Sequence, residues 1–476
     1  MQADKAWVRR LPTAVCVGAA SAIAATQLLF APVVGLANNG DFERVMGYVG
    51  FQYMTDDRSE KYFSWIVTKF AFGPPGWFRS GLVTSETLLA WIARLVSQPF
   101  APLFDLRVLG AIHAALLVTG LGLLVSAAEP LGRSAQWVAA ALLVFFFTDV
   151  GYVAPLNSFY SQAASLVFLL LTLGVAARSI AFRRRSPAPA LIFFLLAALF
   201  TGSKPQEAVQ GVLLAAFGLR LYWQTGRSVV WQPAAWLAAG LLAFSAWYLR
   251  ATPPAISDVA RYHKVFMELL PSSPDPAGDL RDLGLDPAWV SASGKIAYQP
   301  GPFSDPAFRE AFLSRFSYAR LVRFYLTHPG RLASTLAHGG EQALRLRHPR
   351  FGNFEHRPGV APGTKSAAFS AWSDARLRLP GHAWIWIAFL LAGNLAFAAV
   401  LLRRSPPGDG LAAQALVLLV AMAATAFLVC VLSNAHGDLP RTLYVFHALC
   451  DLMVAADVTY AVRRRRDEPT SASPSA

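Results

Sequence analysis

The stretch SFYSQAASLVFLLLTLGVAARSIAFRRR, residues 158–185, decides the fold. Its middle is an apolar run of the roughly 20 residues that a helix needs to cross a bilayer. Lipid offers no partner to a backbone amide, so such a run is read as a helix that satisfies its own hydrogen bonds. It ends on Arg183, Arg184 and Arg185, and a basic cluster at one end of an apolar run marks the cytoplasmic side. Similar runs on either side of it predict helices over 12–36, 105–127, 135–151, 158–180, 188–203, 206–222, 229–249, 382–402, 411–433 and 442–462. Only Gly202-Ser203-Lys204-Pro205 divides the fifth from the sixth, so two spans, one kinked span and a re-entrant pair are all open. A further stretch, Leu82–Val96, carries Glu86 and Arg94 and reads as a helix lying at the interface, with a true span as the alternative. The fold class expected is an all-α polytopic membrane protein of about ten transmembrane helices. The alternating strands of a barrel are absent.

Charge tests this layout. The chain carries a net +14, yet only 15% of its 476 residues are charged and 55% are hydrophobic. Lys5, Arg9 and Arg10 place the N-terminus in the cytoplasm. Alternation then puts Arg133, the Arg178 to Arg185 cluster, Arg220 with Arg227, Arg403 with Arg404, and Arg463 to Arg466 on that same side. One span more or fewer would scatter them, so both termini are expected to be cytoplasmic. The basic charge thus serves orientation, and with no aromatic-studded basic domain no nucleic-acid partner is expected. Cys16, Cys430 and Cys450 lie inside apolar runs and read as packing residues, without disulfide or zinc spacing. The run from Leu11 to Ala37 is about twice the ~7–15 apolar residues of a signal peptide, so an uncleaved first helix is expected.

Four regions follow. Residues 1–249 form an N-terminal transmembrane region with a long first outer loop, 38–104. Residues 250–381 form an extracytoplasmic, mainly helical domain. Residues 382–462 form a C-terminal transmembrane region, and 463–476 a disordered cytoplasmic tail. Within the outer domain, Asp305-Pro306 starts a helix with Phe308, Phe312 and Phe316 on one face and Arg309, Arg315 and Arg320 elsewhere, a pattern suited to a membrane surface.

The outer loops hold the polar residues. The first opens Asn38-Asn39-Gly40-Asp41-Phe42-Glu43-Arg44, with a carboxylate just past the first helix. Held within hydrogen-bond reach of a hydroxyl, Asp41 can act as a general base, although the same residues also make a turn. Asp56 and Asp57 follow, able to meet a divalent cation through oxygen or simply to lie in an exposed turn. The second outer loop carries Asn157, which can cap a helix or bind a ligand such as a sugar. The third carries Lys204, Gln206 and Glu207; a lysine at the outer end of a span suits a phosphate, Glu207 or a snorkelling position. The last carries His436, Asp438 and Arg441, whose guanidinium fork suits phosphate or pairs with Asp438.

In order, Asn-Asn-Gly-Asp-Phe at 38–42, Leu-Asn-Ser-Phe-Tyr at 156–160, Ser-Lys-x-Gln at 203–206, Phe324 to Arg331, Phe351-Gly352-Asn353-Phe354-Glu355 and Gly437-Asp438-x-x-Arg441 form a pattern over nearly the whole chain. It resembles the bacterial membrane hexosyltransferases of surface (S-layer type) glycan biosynthesis, which are similar to the GT-C class. The resemblance implies a GT-C-like fold and a multi-pass protein of a bacterial cytoplasmic (inner) membrane. It also implies a polyprenyl-phosphate-linked sugar as donor, a glycan or glycolipid acceptor, membrane lipids as surroundings, and Asp41 as catalytic base. By charge and placement, Lys204, Arg441 and Arg44 would bind the donor phosphate. Asn39, Asn157, Gln206, Glu207, His436 and Asp438 would meet substrate. Gln162 stands where an acid is expected, which leaves the acceptor site and a Mg or Mn cofactor open. A lipid-linked glycan ligase or polymerase would share the outer site. A flippase or transporter of lipid-linked glycans would show inverted repeats and mid-membrane acids, and the sequence displays neither.

Overall fold

The computed structural model describes residues 2–78, 81–183, 186–223, 228–379, 382–405, 410–434 and 438–467. His436, Arg184, Arg185 and Arg227, and residues 468–476 of the tail expected to be disordered over 463–476, lie outside these residues, whereas 463–467 continue the last helix instead of joining the tail. The apolar runs are helices, as their backbones require in hydrocarbon. In order they are α1 (Gln2–Leu28), α2 (Ser85–Ser97), α3 (Leu106–Ala127), α4 (Arg133–Phe147), α5 (Gln162–Ala181), α6 (Pro187–Thr201), α7 (Gln210–Trp223), α8 (Ser228–Arg250), α9 (Ala383–Arg404), α10 (Leu411–Ser433) and α11 (Tyr444–Asp467).

Among the described residues, six helices are long and apolar enough to cross a membrane, and eight if each of two bent pairs is one span. The sequence predicts about ten, and the shortfall has a physical basis. Helix α6 has 15 residues and α7 has 14, both short of the ~20 that a span takes. Helix α4 stops at Phe147, where the sequence predicts continuation to 151. The chain turns by 64° there and starts again at Val150. Asp149 causes the restart: one carboxylate oxygen accepts from Gly151 N at 2.7 Å, the other from Trp372 N and Ser373 N at 3.0 and 2.9 Å. Helix α1 likewise ends at Leu28 rather than 36. The buried Asn157 amide donates to Leu28 O and Val34 O, both at 2.9 Å, satisfying carbonyls that the helix end leaves free. Helices α3 and α5 meet closely at Gly120 and Gly174, where an added Cβ would come within 2.9 Å of Leu170 and 2.7 Å of Leu123.

Residues 38–104 fold onto one end of this bundle. They supply a three-stranded antiparallel sheet that the sequence reading did not foresee: β1 (Phe51–Gln52), β2 (Lys69–Phe72) and β3 (Leu103–Asp105). Its aromatic face stacks Phe51 on Phe104 at 3.9 Å and sets Phe70 edge-on to Phe159, locking the loop to the start of α5. Helix α2 turns its polar residues inward. Buried Arg94 donates to Val49 O, Gly50 O and Gly73 O at 2.7, 2.9 and 3.1 Å, while Leu88, Ile92 and Leu95 face outward.

A second core lies among short helices between Pro254 and Gln342, built on Tyr262, Phe266, Phe312, Phe316 and Phe324. Asp305 caps the Pro306–Arg315 helix by accepting from Ala307 N at 3.0 Å. The phenylalanine face that the sequence suggests for a membrane surface is used internally: Phe312 and Phe316 are buried in this core. Lys264 ties the core to the bundle through Val431 O of α10 at 2.7 Å and pairs with Glu268.

Candidate functional site

The local sequence fixes where Asp41 points. Asn38 Oδ1 accepts from Gly40 N at 2.8 Å and Phe42 N at 3.1 Å, closing a turn in which Gly40 adopts φ 103°, a conformation that glycine takes without strain. Asn39 Oδ1 accepts from Asp41 N and from the Tyr160 hydroxyl, both at 3.1 Å. Phe42 is then buried edge-on to Phe159 and Tyr160, at 5.5 and 4.7 Å. A turn and a functional carboxylate are therefore not alternatives here, because the turn is the device that aims the carboxylate.

Asp41 meets two arginines. Its Oδ2 lies 2.5 Å from Arg441 Nη1 and its Oδ1 3.2 Å from Arg44. Arg441 is itself a bridge: Nε and Nη2 donate to the two oxygens of Asp438 at 2.9 and 2.5 Å. Its guanidinium sits 5.0 Å over the Tyr160 ring, and its backbone carbonyl accepts from Gln162 Nε2 at 3.4 Å. Lys204, in the turn after α6, lies within electrostatic reach of Asp41, Arg441, Asp438 and Glu207. From the second core, Tyr298 and His263 feel the Asp438 charge, so that domain borders the same cluster.

These contacts set the protonation states. Burial alone would push the Asp41 carboxyl up, but Arg441, then Arg44 and Lys204, outweigh it and hold it at about 2. Burial lowers the Lys204 ammonium, with Glu207 opposing. Burial would also lower Arg441, yet Asp438 and Asp41 carry it well above its ordinary value. The result is an anchored ion triad, Asp41–Arg441–Asp438, with its first carboxylate still 22% exposed.

The structure thus gathers Asp41, Arg44, Lys204, Asp438 and Arg441, with Asn39 behind them. Gln206 donates to Asn434 Oδ1 at 3.1 Å at the edge of the cluster, and Glu207 is buried beside Lys204. Asn157 sits elsewhere, its amide spent on the Leu28 carbonyl at the end of α1 and on the Val34 carbonyl that follows it. Asp56 pairs with Lys61 at 3.1 Å, and Asp57 accepts from Ser59 N at 2.8 Å as a helix cap. Neither converges with further ligands, and among the described residues no group of three His, Cys, Asp or Glu could hold a metal. The sequence reading missed Tyr160 as the shelf under Arg441, although it lies in the quoted 156–160 motif. It also missed His348, 4.0 Å from Asp438, which no local pattern announces.

A family model described as the YfdI N-terminal transmembrane domain matches residues 2–472. No curated protein and no solved structure matches the chain.

Proposed function

Because the chain belongs to the YfdI N-terminal transmembrane domain family, we propose that this multi-pass membrane protein is a glycosyltransferase. In this reading it moves a hexose or similar sugar from a polyprenyl phosphate carrier to a surface glycan or glycolipid at the extracytoplasmic face of a bacterial inner membrane. The single observation that carries the reading is the Arg441 bridge between Asp41 and Asp438. A general base must be positioned before its pKa matters, and Asp41 is positioned by Asn39 and Phe42.

In its paired form Asp41 is a weak base. A phosphate on the donor competes with Asp41 for the Arg441 fork, which suits phosphate oxygens as well as carboxylates. Once Arg441 turns to the phosphate, Asp41 loses its strongest partner, and burial drives its pKa upward toward a useful range. The acceptor hydroxyl oxygen then bonds to the anomeric carbon and its proton passes to Asp41. The carbon–oxygen bond to the carrier phosphate breaks and the electron pair leaves with the phosphate. Arg441 and Lys204 stabilise the charge growing there. One displacement inverts the anomeric centre. No step is drawn through a divalent cation, because Asp56 and Asp57 are engaged with Lys61 and Ser59.

The test is transfer of radiolabelled sugar in membranes of a deletion strain carrying wild type or Asp41→Asn. The variant is expected to insert normally and to transfer sugar at a small fraction of the wild-type rate. Wild-type rates from Asp41→Asn would remove Asp41 from the mechanism, and loss of activity on chelation would restore Mg or Mn to it.

A further inference from the structure

Arg441 lines a second space that the mechanism above does not use. Its other walls include Arg347, His348, Lys365, Gln162 and Tyr444. The segment bearing Lys365 is pinned in place. Asn353 Nδ2 donates to Gly35 O at 2.7 Å, its Oδ1 accepts from Ser366 N and Arg347, and a Cβ on Gly352 would strike Ser64 O at 2.1 Å. Among the described residues, Arg347 donates only to neutral oxygens, Asn353 Oδ1 at 3.2 Å and Ser366 O at 2.6 Å, and Lys365 has no side-chain partner. Burial, then Arg347 and Arg345, depress the Lys365 ammonium below its ordinary value; Asp149 and Asp374 act on Arg347 and Asp438 lies 4.0 Å from His348, so Lys365 is the cation of this group that no carboxylate among the described residues offsets. An anion is what such a group of cations binds.

Size and surroundings narrow the anion. The space holds about 30 Å³. A water takes ~10–15 Å³ by the same measure, so two or three oxygens fit and a sugar ring does not. A turn forms one wall: Val150 and Gly151 line the cationic space, and Asp149 lines an apolar groove of about 410 Å³. Val15, Cys16, Ala19 and Ile23 of α1 and residues Trp137 to Phe145 of α4 build that groove, with Trp372 at its rim. From Trp137 to Thr148 it follows about 16 Å of helix rise, roughly half of a ~30 Å hydrocarbon core.

We propose that Lys365, Arg347 and His348, together with Arg441, seat the phosphate group of a prenyl-chain lipid whose first units lie in the α1–α4 groove. This rests on the glycosyl-transfer reading for the identity of the chain, but the anion seat stands on its own geometry. The seat places the carrier phosphate against the arginine that holds Asp41, which links carrier binding to release of the base.

The test uses the full chain in phosphatidylcholine nanodiscs, with tryptophan fluorescence followed while polyprenyl monophosphate is added; Trp137 and Trp372 line the groove. Saturable binding is expected. Lys365→Gln should weaken it about tenfold, the loss of one charge-assisted contact, and Lys365→Arg should restore most of it. Unphosphorylated polyprenol should bind far more weakly, and neither inorganic phosphate nor phosphatidylglycerol should displace the probe. Equal binding by Lys365→Gln, or by polyprenol, overturns the seat. Displacement by inorganic phosphate or phosphatidylglycerol at the probe's own concentration overturns the prenyl lipid as its occupant. Asp41→Asn separates this from the catalytic reading: it should bind the probe at least as well as wild type, and if it also transfers sugar the catalytic reading fails alone.

Discussion

Two arginine–aspartate clusters in this molecule use the same chemistry to different ends. Deep in the bundle, Asp451 of α11 accepts from Tyr152 Oη at 2.6 Å, Trp372 Nε1 at 2.9 Å and Arg376 Nη1 at 3.2 Å. Arg376 spends its other nitrogen on Ala343 O and the His447 ring. Both side chains are almost wholly buried, 7% and 3% exposed, and a hydrogen-bonded shell closes around them. At the loop end, Arg441 also holds carboxylates, but Asp41 keeps a fifth of its surface open and leans on two further cations, Arg44 and Lys204. A pair buried within such a shell fixes the packing of α11 against the 371–377 helix. A pair left partly open, with Arg44 and Lys204 beside it, is the one that the proposed mechanism has exchange a carboxylate for a phosphate. The difference lies in the shell around the pair, not in the pair.

Substitutions can break or sharpen that contrast. Asp41→Asn should cut sugar transfer by about 10²–10⁴-fold, the usual worth of a general base, with little change in the unfolding temperature. Asp451→Ala should do the reverse, costing about 3–5 kcal/mol by stranding Arg376, as read from thermal unfolding in detergent. If both variants lost stability equally, the contrast would be void. Asn157→Ala should cost about 1–3 kcal/mol by orphaning the Leu28 and Val34 carbonyls, with the Michaelis constants for donor and acceptor unchanged; a raised constant would return Asn157 to the substrate site.

Acid offers a gentler probe. The folded Asp41 carboxyl, at about 2, lies below its free value of 3.8. Its pairing therefore stabilises the fold above the free value, and the contribution fades as pH falls from about 4 to about 2. Arg441→Gln should flatten that part of the acid unfolding curve, whereas an unaltered acid limb would mean the pairing contributes nothing. Least of all, Asp56→Asn should leave transfer and unfolding as they are, since the Asp56 carboxylate is fully exposed and water replaces its contact with Lys61.

Much of the architecture was legible from the chain. Each predicted apolar segment is helical over most of its length, because the cost of burying a backbone amide in lipid is levied residue by residue. The Asn-Asn-Gly-Asp turn was legible too, as its hydrogen bonds close within four residues. Span number was not: whether α4 continues depends on Asp149, whose partners Trp372 and Ser373 lie more than two hundred positions away. The use of the Phe312 face was also hidden, since an amphipathic helix fits a lipid surface and a domain core equally well.

The sequence by itself determined that this is a helical membrane protein and named Asp41, Lys204 and Arg441 as separate polar signals. Tertiary structure decided that Arg441, 400 positions from Asp41, grips that carboxylate, and that Lys365 and Arg347 line one space with it. The reason is physical. Transfer into a bilayer is a sum over local residues, whereas the pairing of charges depends on which loops a folded bundle brings within a few ångströms of one another.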